Sequence, residues 1–137
     1  MKKQSRRKFI TAASALALAP SAIGSTVNGK ADPQIIHHVF FWLNKPGDEA
    51  DCRQLLEGLK SLGSIPVIKK LLTGTPAPTE QRDVVDSSYD VSELMFFDNA
   101  ADQKAYQDHP VHKAFVEKYS HLWKKVIVYD MLAEQEK

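Results

Sequence analysis

From Ile35 to Leu43 the chain reads I-I-H-H-V-F-F-W-L, dense in β-branched and aromatic residues, and it closes on the turn-like N-K-P-G of Asn44 to Gly47; this predicts a strand. The period then changes. Leu55, Leu56, Leu59 and Leu62 recur at helical spacing, with Asp48, Glu49 and Asp51 in the first turn and Gly63 as a stop, so a helix is expected over Asp48 to Leu62. After Ile65-Pro66, Val67 to Thr73 predicts a second strand, and the loop G-T-P-A-P-T-E-Q-R separates it from a third at Tyr89 to Phe97. Asp98 or Asn99 can cap a helix that runs to about Asp108, where Pro110 interrupts. Pro110 is well placed to open a further helix reaching Trp123, and Lys125 to Leu132 predicts the fourth strand.

The order β-α-β-β-α-β is the split βαβ pattern of an α+β, ferredoxin-like fold: a four-stranded antiparallel sheet with helices on one face. The other face has no cover. Strands one and three are apolar on both sides, since Ile35, Val39, Phe41 and Leu43 alternate with Ile36, Phe40 and Trp42, and Leu94 and Phe96 alternate with Val91, Met95 and Phe97. A sheet with one wet face alternates apolar with polar residues. A second copy of the same sheet is the economical cover, so the chain itself is the expected partner, as a homodimer.

Composition sharpens this picture. With 137 residues, 43% hydrophobic and 26% charged, the chain has the make-up of one ordinary globular domain. Its net charge of +1 hides a division: residues 1–31 hold six basic residues and no acid (+6), while residues 32–137 hold the other 12 basic and all 17 acidic residues (−5). An acidic body argues against a nucleic-acid partner, which needs a surplus of Lys and Arg on some face. Cys52 is the only cysteine, so no internal disulfide can form. Lys2, Lys3, Arg6, Arg7 and Lys8 precede an uncharged run from Phe9 to Ile23, the pattern of a secretory signal that is too short and interrupted for a permanent membrane anchor. Within it S-R-R-K-F-I, from Ser5 to Ile10, resembles the twin-arginine export signal. The expectation is a signal peptide and short linker over residues 1–31, a domain over residues 32–137, and a periplasmic or other extracytoplasmic destination.

Several residues could carry chemistry. His37 and His38 are neighbours on a strand and must point to opposite faces, so only one of them enters a given cavity. His109 and His112 have the spacing of one helix face, but Pro110 lies between them and places His109 before the helix and His112 within it. No acid or cysteine at ligand spacing accompanies them, so no metal is expected. His109 either satisfies a helix start or joins the ligand-binding residues. Tyr106 and His112 can converge only if the chain turns sharply at His109-Pro110; they would then offer a phenol donor beside an imidazole base, a pair suited to enolisation. Glu93 is the one carboxylate on the strand face of Tyr89, Val91, Met95 and Phe97, where burial would raise its pKa unless it is paired. Cys52 has no neighbouring His to activate it.

The opening H-V-F-F-W-L from His38, Ile65-Pro66, the S-Y-D of Ser88 to Asp90, the segment A-Y-Q-D-H-P-V-H-K-A-F-V from Ala105 and the ending W-K-K-V-I-V-Y-D from Trp123 together resemble the stress-responsive A/B barrel family, Dabb. The resemblance spans about Ile35 to Leu132, and its most specific part is Tyr106, His109, Pro110 and His112. It implies a dimeric α+β barrel. It also implies, from a plant cyclase of the family that works without cofactor or metal, Tyr106 and His112 as catalytic residues. A small-molecule cavity lined by His38, Phe40, Trp42, Glu93, Phe115, Trp123 and Val126 follows from the same correspondence. Glu93, Phe40 and Trp42 depart from that enzyme's apolar, aliphatic lining and imply a narrower, more acidic pocket for a small apolar or aromatic ligand. The resemblance thus leads to a cofactor-independent cyclase or lyase. The alternatives are a non-catalytic stress-related binding protein and a monooxygenase-like or haem-binding barrel.

Overall fold

A computed structural model of the chain describes residues 34–135, so the export signal read from residues 1–31 lies outside the described residues. The elements follow in the order β1 (Ile35–Leu43), α1 (Glu49–Ser61), β2 (Lys70–Gly74), β3 (Val91–Phe97), α2 (Ala100–Gln107), α3 (Pro110–Tyr119) and β4 (Trp123–Leu132). The strands form one antiparallel sheet ordered β2-β3-β1-β4, the ferredoxin-like arrangement expected from the element order. β1 therefore has a hydrogen-bonded strand on each side, which is why it has no polar edge to offer.

Alternation along β1 divides its side chains sharply. His37, Val39, Phe41 and Leu43 are buried beneath the helices, together with Val91, Glu93, Met95 and Phe97 of β3. Leu55 and Leu59 of α1, Tyr106 of α2 and Phe115 of α3 close that core from above. The helices begin where the caps dictate. Asp48 accepts a hydrogen bond from the Asp51 amide (2.9 Å) at the start of α1, and Asn99 accepts one from the Asp102 amide (2.8 Å) at the start of α2. Asp90 ties the β1–α1 turn to β3, its two carboxylate oxygens accepting from the Leu43 and Gly47 amides at 2.8 Å each. Gly47 takes a positive φ of 73° in that turn, a conformation open to glycine.

α3 ends at Tyr119 instead of reaching Trp123, and three strand starts differ from the sequence reading. β2 starts at Lys70, because Ile65 to Ile68 form a turn (Ile68 amide to Ile65 carbonyl, 3.2 Å) that packs Val67 and Ile68 against the core. β3 starts at Val91, after Asp90 has turned its side chain to the β1–α1 turn. β4 starts at Trp123, opposite Leu43, where the register with β1 shifts between Trp42 and Leu43.

The opposite sheet face carries Ile36, His38, Phe40 and Trp42 of β1, Leu94 and Phe96 of β3, Leu72 of β2, and Ile127, Tyr129 and Met131 of β4. Among the described residues no helix covers it. Leu72, Tyr129 and Met131 remain 47%, 63% and 53% exposed, and contiguous exposed apolar residues mark an association surface.

Gly58 marks a tight contact between α1 and α3. A Cβ placed there would lie 2.7 Å from Cε2 of Tyr119, whose ring packs on Phe115. Alanine normally gains up to about 1 kcal/mol over glycine inside a helix, whereas overpacking of this kind costs about 1–3 kcal/mol. Gly58→Ala should therefore lower stability by roughly 1–2 kcal/mol in urea unfolding. In a Tyr119→Ala background the same substitution should stabilise, and a double-mutant cycle reads the difference.

Candidate functional site

The break between α2 and α3 assembles half of the site. Asp108 ends α2, and His109 takes an extended conformation (φ −66°, ψ 139°) that starts α3 at Pro110. The His109 Nδ1 atom accepts from the Val111 amide at 3.1 Å and caps that helix. Pro110 has no amide to satisfy and fits the first helical position. The resulting turn lays the end of α2 against the start of α3, so the Tyr106 and His112 rings pack with centroids 4.7 Å apart. His112 Nδ1 donates to the Gln107 carbonyl at 3.0 Å. A carbonyl can only accept, so the neutral ring carries its proton on Nδ1 and leaves Nε2 as a lone-pair acceptor. Burial lowers the His112 pKa, the hydrogen bond to Gln107 works against that, and His37 adds to the lowering.

The sheet supplies the other half. His37, Val39 and Phe41 of β1, Glu93 of β3, and Trp123, Val126 and Val128 of β4 meet Tyr106, Gln107, His112, Phe115 and Val116 around a half-open cavity of about 180 Å³. Drug-sized pockets run from about 300 Å³ upward, so this one suits a smaller molecule. His37 Nδ1 donates to Asp130 Oδ1 at 2.5 Å, and its ring stands edge-on to Tyr106 at a centroid distance of 5.8 Å. A carboxylate can only accept, so the Nε2 atom of His37 is likewise the unprotonated one in the neutral ring. Phe115 stacks on Trp123 with centroids 5.9 Å apart and forms the apolar wall.

Among the described residues Glu93 has no countercharge. It is 2% exposed, and its Oε2 atom is buried without a hydrogen-bond partner. Loss of hydration alone pushes its pKa up to about 8, so the carboxyl group is protonated at neutral pH. Tyr106 is 1% exposed, and burial, reinforced by the nearby Glu93, raises its pKa further above the ordinary phenol value. At pH 7 the cavity thus presents the neutral O–H groups of Glu93 and Tyr106 beside the imidazoles of His37 and His112.

Of the residues singled out in the sequence, Tyr106, His112, Glu93, Phe115, Trp123 and Val126 come together around this cavity. His38, Phe40 and Trp42 do not, which corrects their expected place in the same pocket. They lie on the open face, where His38 Nε2 meets Ser92 Oγ at 2.8 Å, Phe40 packs on His38 and Tyr89, and Trp42 Nε1 donates to Ser88 Oγ at 3.1 Å. The cause is the alternation along β1, which sends His37, Val39 and Phe41 under the helices and His38, Phe40 and Trp42 to the other face. His109 is occupied as the cap of α3 and is absent from the cavity lining. Residues missed by sequence reasoning are His37, Val39, Phe41, Gln107, Val116 and Val128. Asp130 carried a signal for the first: it lies four residues after Val126 and so shares its face, and it pairs directly with His37.

The protonated Glu93 makes folding pH-dependent. The folded chain holds this proton up to about pH 8, while the unfolded chain releases it near 4.5, so its contribution to stability is complete below the lower value and lost as pH rises toward the higher one. Relative to Glu93→Gln, which cannot ionise, the wild type should lose up to about 1.4 kcal/mol per pH unit across that window and nothing more above it. Urea unfolding of both proteins from pH 5 to about 9 measures the divergence.

Solved structures of similar fold include a Dabb family protein with a ferredoxin-like fold from Mesorhizobium loti, 23% identical over 75% of this chain and 99% of that one, with a TM-score of 0.60. A protein from Thermobifida fusca described as dimeric and ferredoxin-like is 21% identical over 74% of this chain and 92% of that one, with a TM-score of 0.60. A hydroxynitrile lyase from Passiflora edulis is 18% identical over 77% of this chain and 98% of that one, with a TM-score of 0.62. A comparison with curated proteins finds no match. Identities this low carry the fold alone. The family assignment rests on residues 35–133, the whole sheet and all three helices, which match the stress responsive A/B barrel domain, and the chain belongs to that family, Dabb.

Proposed function

We propose that the protein is an exported homodimer that makes or breaks a carbon–carbon bond next to a carbonyl in a small apolar or aromatic molecule, with His112 as general base and Tyr106 as the donor to the carbonyl oxygen. The observation that carries this reading is the hydrogen bond from His112 Nδ1 to the Gln107 carbonyl, which leaves a neutral, unprotonated Nε2 on the wall of a cavity shared with the Tyr106 phenol. In the cleavage direction, Nε2 takes the proton of a hydroxyl group as the oxygen becomes a carbonyl. The adjacent C–C bond breaks, its electron pair leaves on the carbanion fragment, and that fragment recovers the proton from the imidazolium. Tyr106 O–H bonds the oxygen throughout, and its raised pKa keeps the phenol protonated. The same steps reversed describe an aldol-type cyclisation. The neighbouring hydroxynitrile lyase shows that this fold can house such chemistry in another protein.

Assembly follows from the uncovered sheet face. Packing two such faces together would bury Phe40, Leu72, Tyr129 and Met131, and the Thermobifida fusca relative is described as dimeric. Export is supported by residues 1–31, with their paired Arg6 and Arg7 ahead of an uncharged run. Binding without turnover is the second reading. It is favoured by Tyr106, which is almost fully buried and packed on Phe97 and His37, as a purely structural residue would be.

The test is a panel of small aromatic hydroxynitriles and β-hydroxy ketones followed by product chromatography. His112→Ala should slow turnover by about 10²–10⁴-fold with the circular dichroism spectrum unchanged. The rate should rise with pH through a value below the ordinary His pKa of 6.5, as the lowered pKa of His112 requires, and stay level only until Glu93 ionises at about pH 8. Wild-type inactivity across the panel, or a His112→Ala variant as fast as wild type, would overturn the catalytic reading. For assembly, sedimentation should give a dimer, and Tyr129→Glu, on the open face, should shift it to monomer.

A further inference from the structure

Glu93 has no role in the chemistry above, although it is a deeply buried polar group of the cavity. It stands on β3 between Val39 of β1 and Thr73 of β2, lines the cavity with its Oε2 buried and unpartnered, and shares that lining with the apolar Phe41, Phe115, Trp123 and Val126. The other titratable groups around the cavity are His37 on β1, Tyr106 on α2 and His112 on α3, with Asp130 on β4 behind His37; no Lys or Arg lines it. A buried donor or acceptor without a partner is unfavourable. A ligand can supply that partner.

We propose that Glu93 is a ligand-selecting residue: as a neutral carboxylic acid it donates a hydrogen bond to an uncharged acceptor, such as a carbonyl or nitrile, on the buried end of the ligand. The chemistry of the pocket decides between neutral and charged ligands. An anionic ligand would meet no Lys or Arg among the lining residues. An ammonium would have to shed its water and pair with an ionised Glu93 between aromatic walls, where desolvation of both charges opposes the attraction. A neutral acceptor needs neither step. Its apolar remainder lies against Phe115 and Trp123, which stack face to face. Because the proton of Glu93 is held only to about pH 8, binding of a neutral acceptor should weaken as pH rises through that value.

The inference rests on the cavity being the ligand site and not on turnover, so binding alone tests it. Three probes share a benzene ring and differ at one end: acetophenone as neutral acceptor, benzoate as anion and benzylamine as cation. NMR titration of the wild-type protein at pH 7 should show acetophenone binding at least about tenfold more tightly than the other two. Glu93→Gln keeps a donor on a side chain of the same shape and should hold acetophenone within about threefold. Glu93→Leu removes the donor and should lose about tenfold or more, while His112→Ala should keep the wild-type order of the probes. Glu93→Leu replaces an unpaired polar group by an apolar one, so folding is not at risk. A preference for benzylamine that Glu93→Gln abolishes would overturn the proposal in favour of a cation site. Equal acetophenone binding by wild type and Glu93→Leu, or no saturable binding of any probe, would also overturn it. If acetophenone binds as expected while the substrate panel stays unreacted, the catalytic reading fails and the role of Glu93 stands.

Discussion

β1 lies between β3 and β4 with hydrogen bonds on both sides, and its two-residue period sends every second side chain through to a different compartment. His37, Val39 and Phe41 enter the helix side, where they build the floor of the cavity. Ile36, His38, Phe40 and Trp42 enter the open side, where they build an apolar surface. A shift of one residue would exchange the two sets and place His38 and Trp42 under the helices. The anchors against such a shift are visible: Leu43 is fully buried, and the Leu43 and Gly47 amides are both held by the Asp90 carboxylate. His37 gains Asp130 as a partner only in this register.

The second constraint is the interruption at Pro110. A continuous helix would carry Tyr106 and His112 on different sides, six residues apart. Ending α2 at Gln107 and restarting at Pro110 frees the Gln107 carbonyl to hold His112 Nδ1, and the same turn brings the two rings together. One local feature therefore sets both the tautomer of the imidazole and its distance from the phenol. His109 makes that turn possible by capping α3, so its contribution to the site is through the backbone. With Glu93 opposite, protonated because nothing compensates its burial, the cavity gathers proton donors and acceptors, and desolvation is the largest influence on Glu93, Tyr106 and His112.

Much of this was legible in the chain before any coordinates. Periodicities of 3.6 and 2, the caps Asp48 and Asn99, and Pro110 at a helix start are local signals, and they placed each element to within a few residues of its observed bounds. The apolar character of strands one and three on both faces announced a sheet whose second face needs cover. Even the raised pKa of Glu93 could be anticipated, since a lone carboxylate among Val91, Met95 and Phe97 has nothing in its own strand to pair with.

Long-range register was not legible, and it decided the site. Whether His37 or His38 faces the helices depends on which β4 residue stands across from each, and that pairing joins positions about ninety residues apart through backbone hydrogen bonds that every residue can make. Backbone groups carry no label, so the choice falls to the whole core, through the burial of Leu43, Phe41 and Val39 together. The sequence by itself determined the elements, their order and the conflict between two apolar sheet faces and one layer of helices, because those follow from contacts within a few residues. Only the tertiary structure decided that His37 with Asp130, and not His38, joins Tyr106, His112 and Glu93, because facing is a property of paired strands and not of either strand alone.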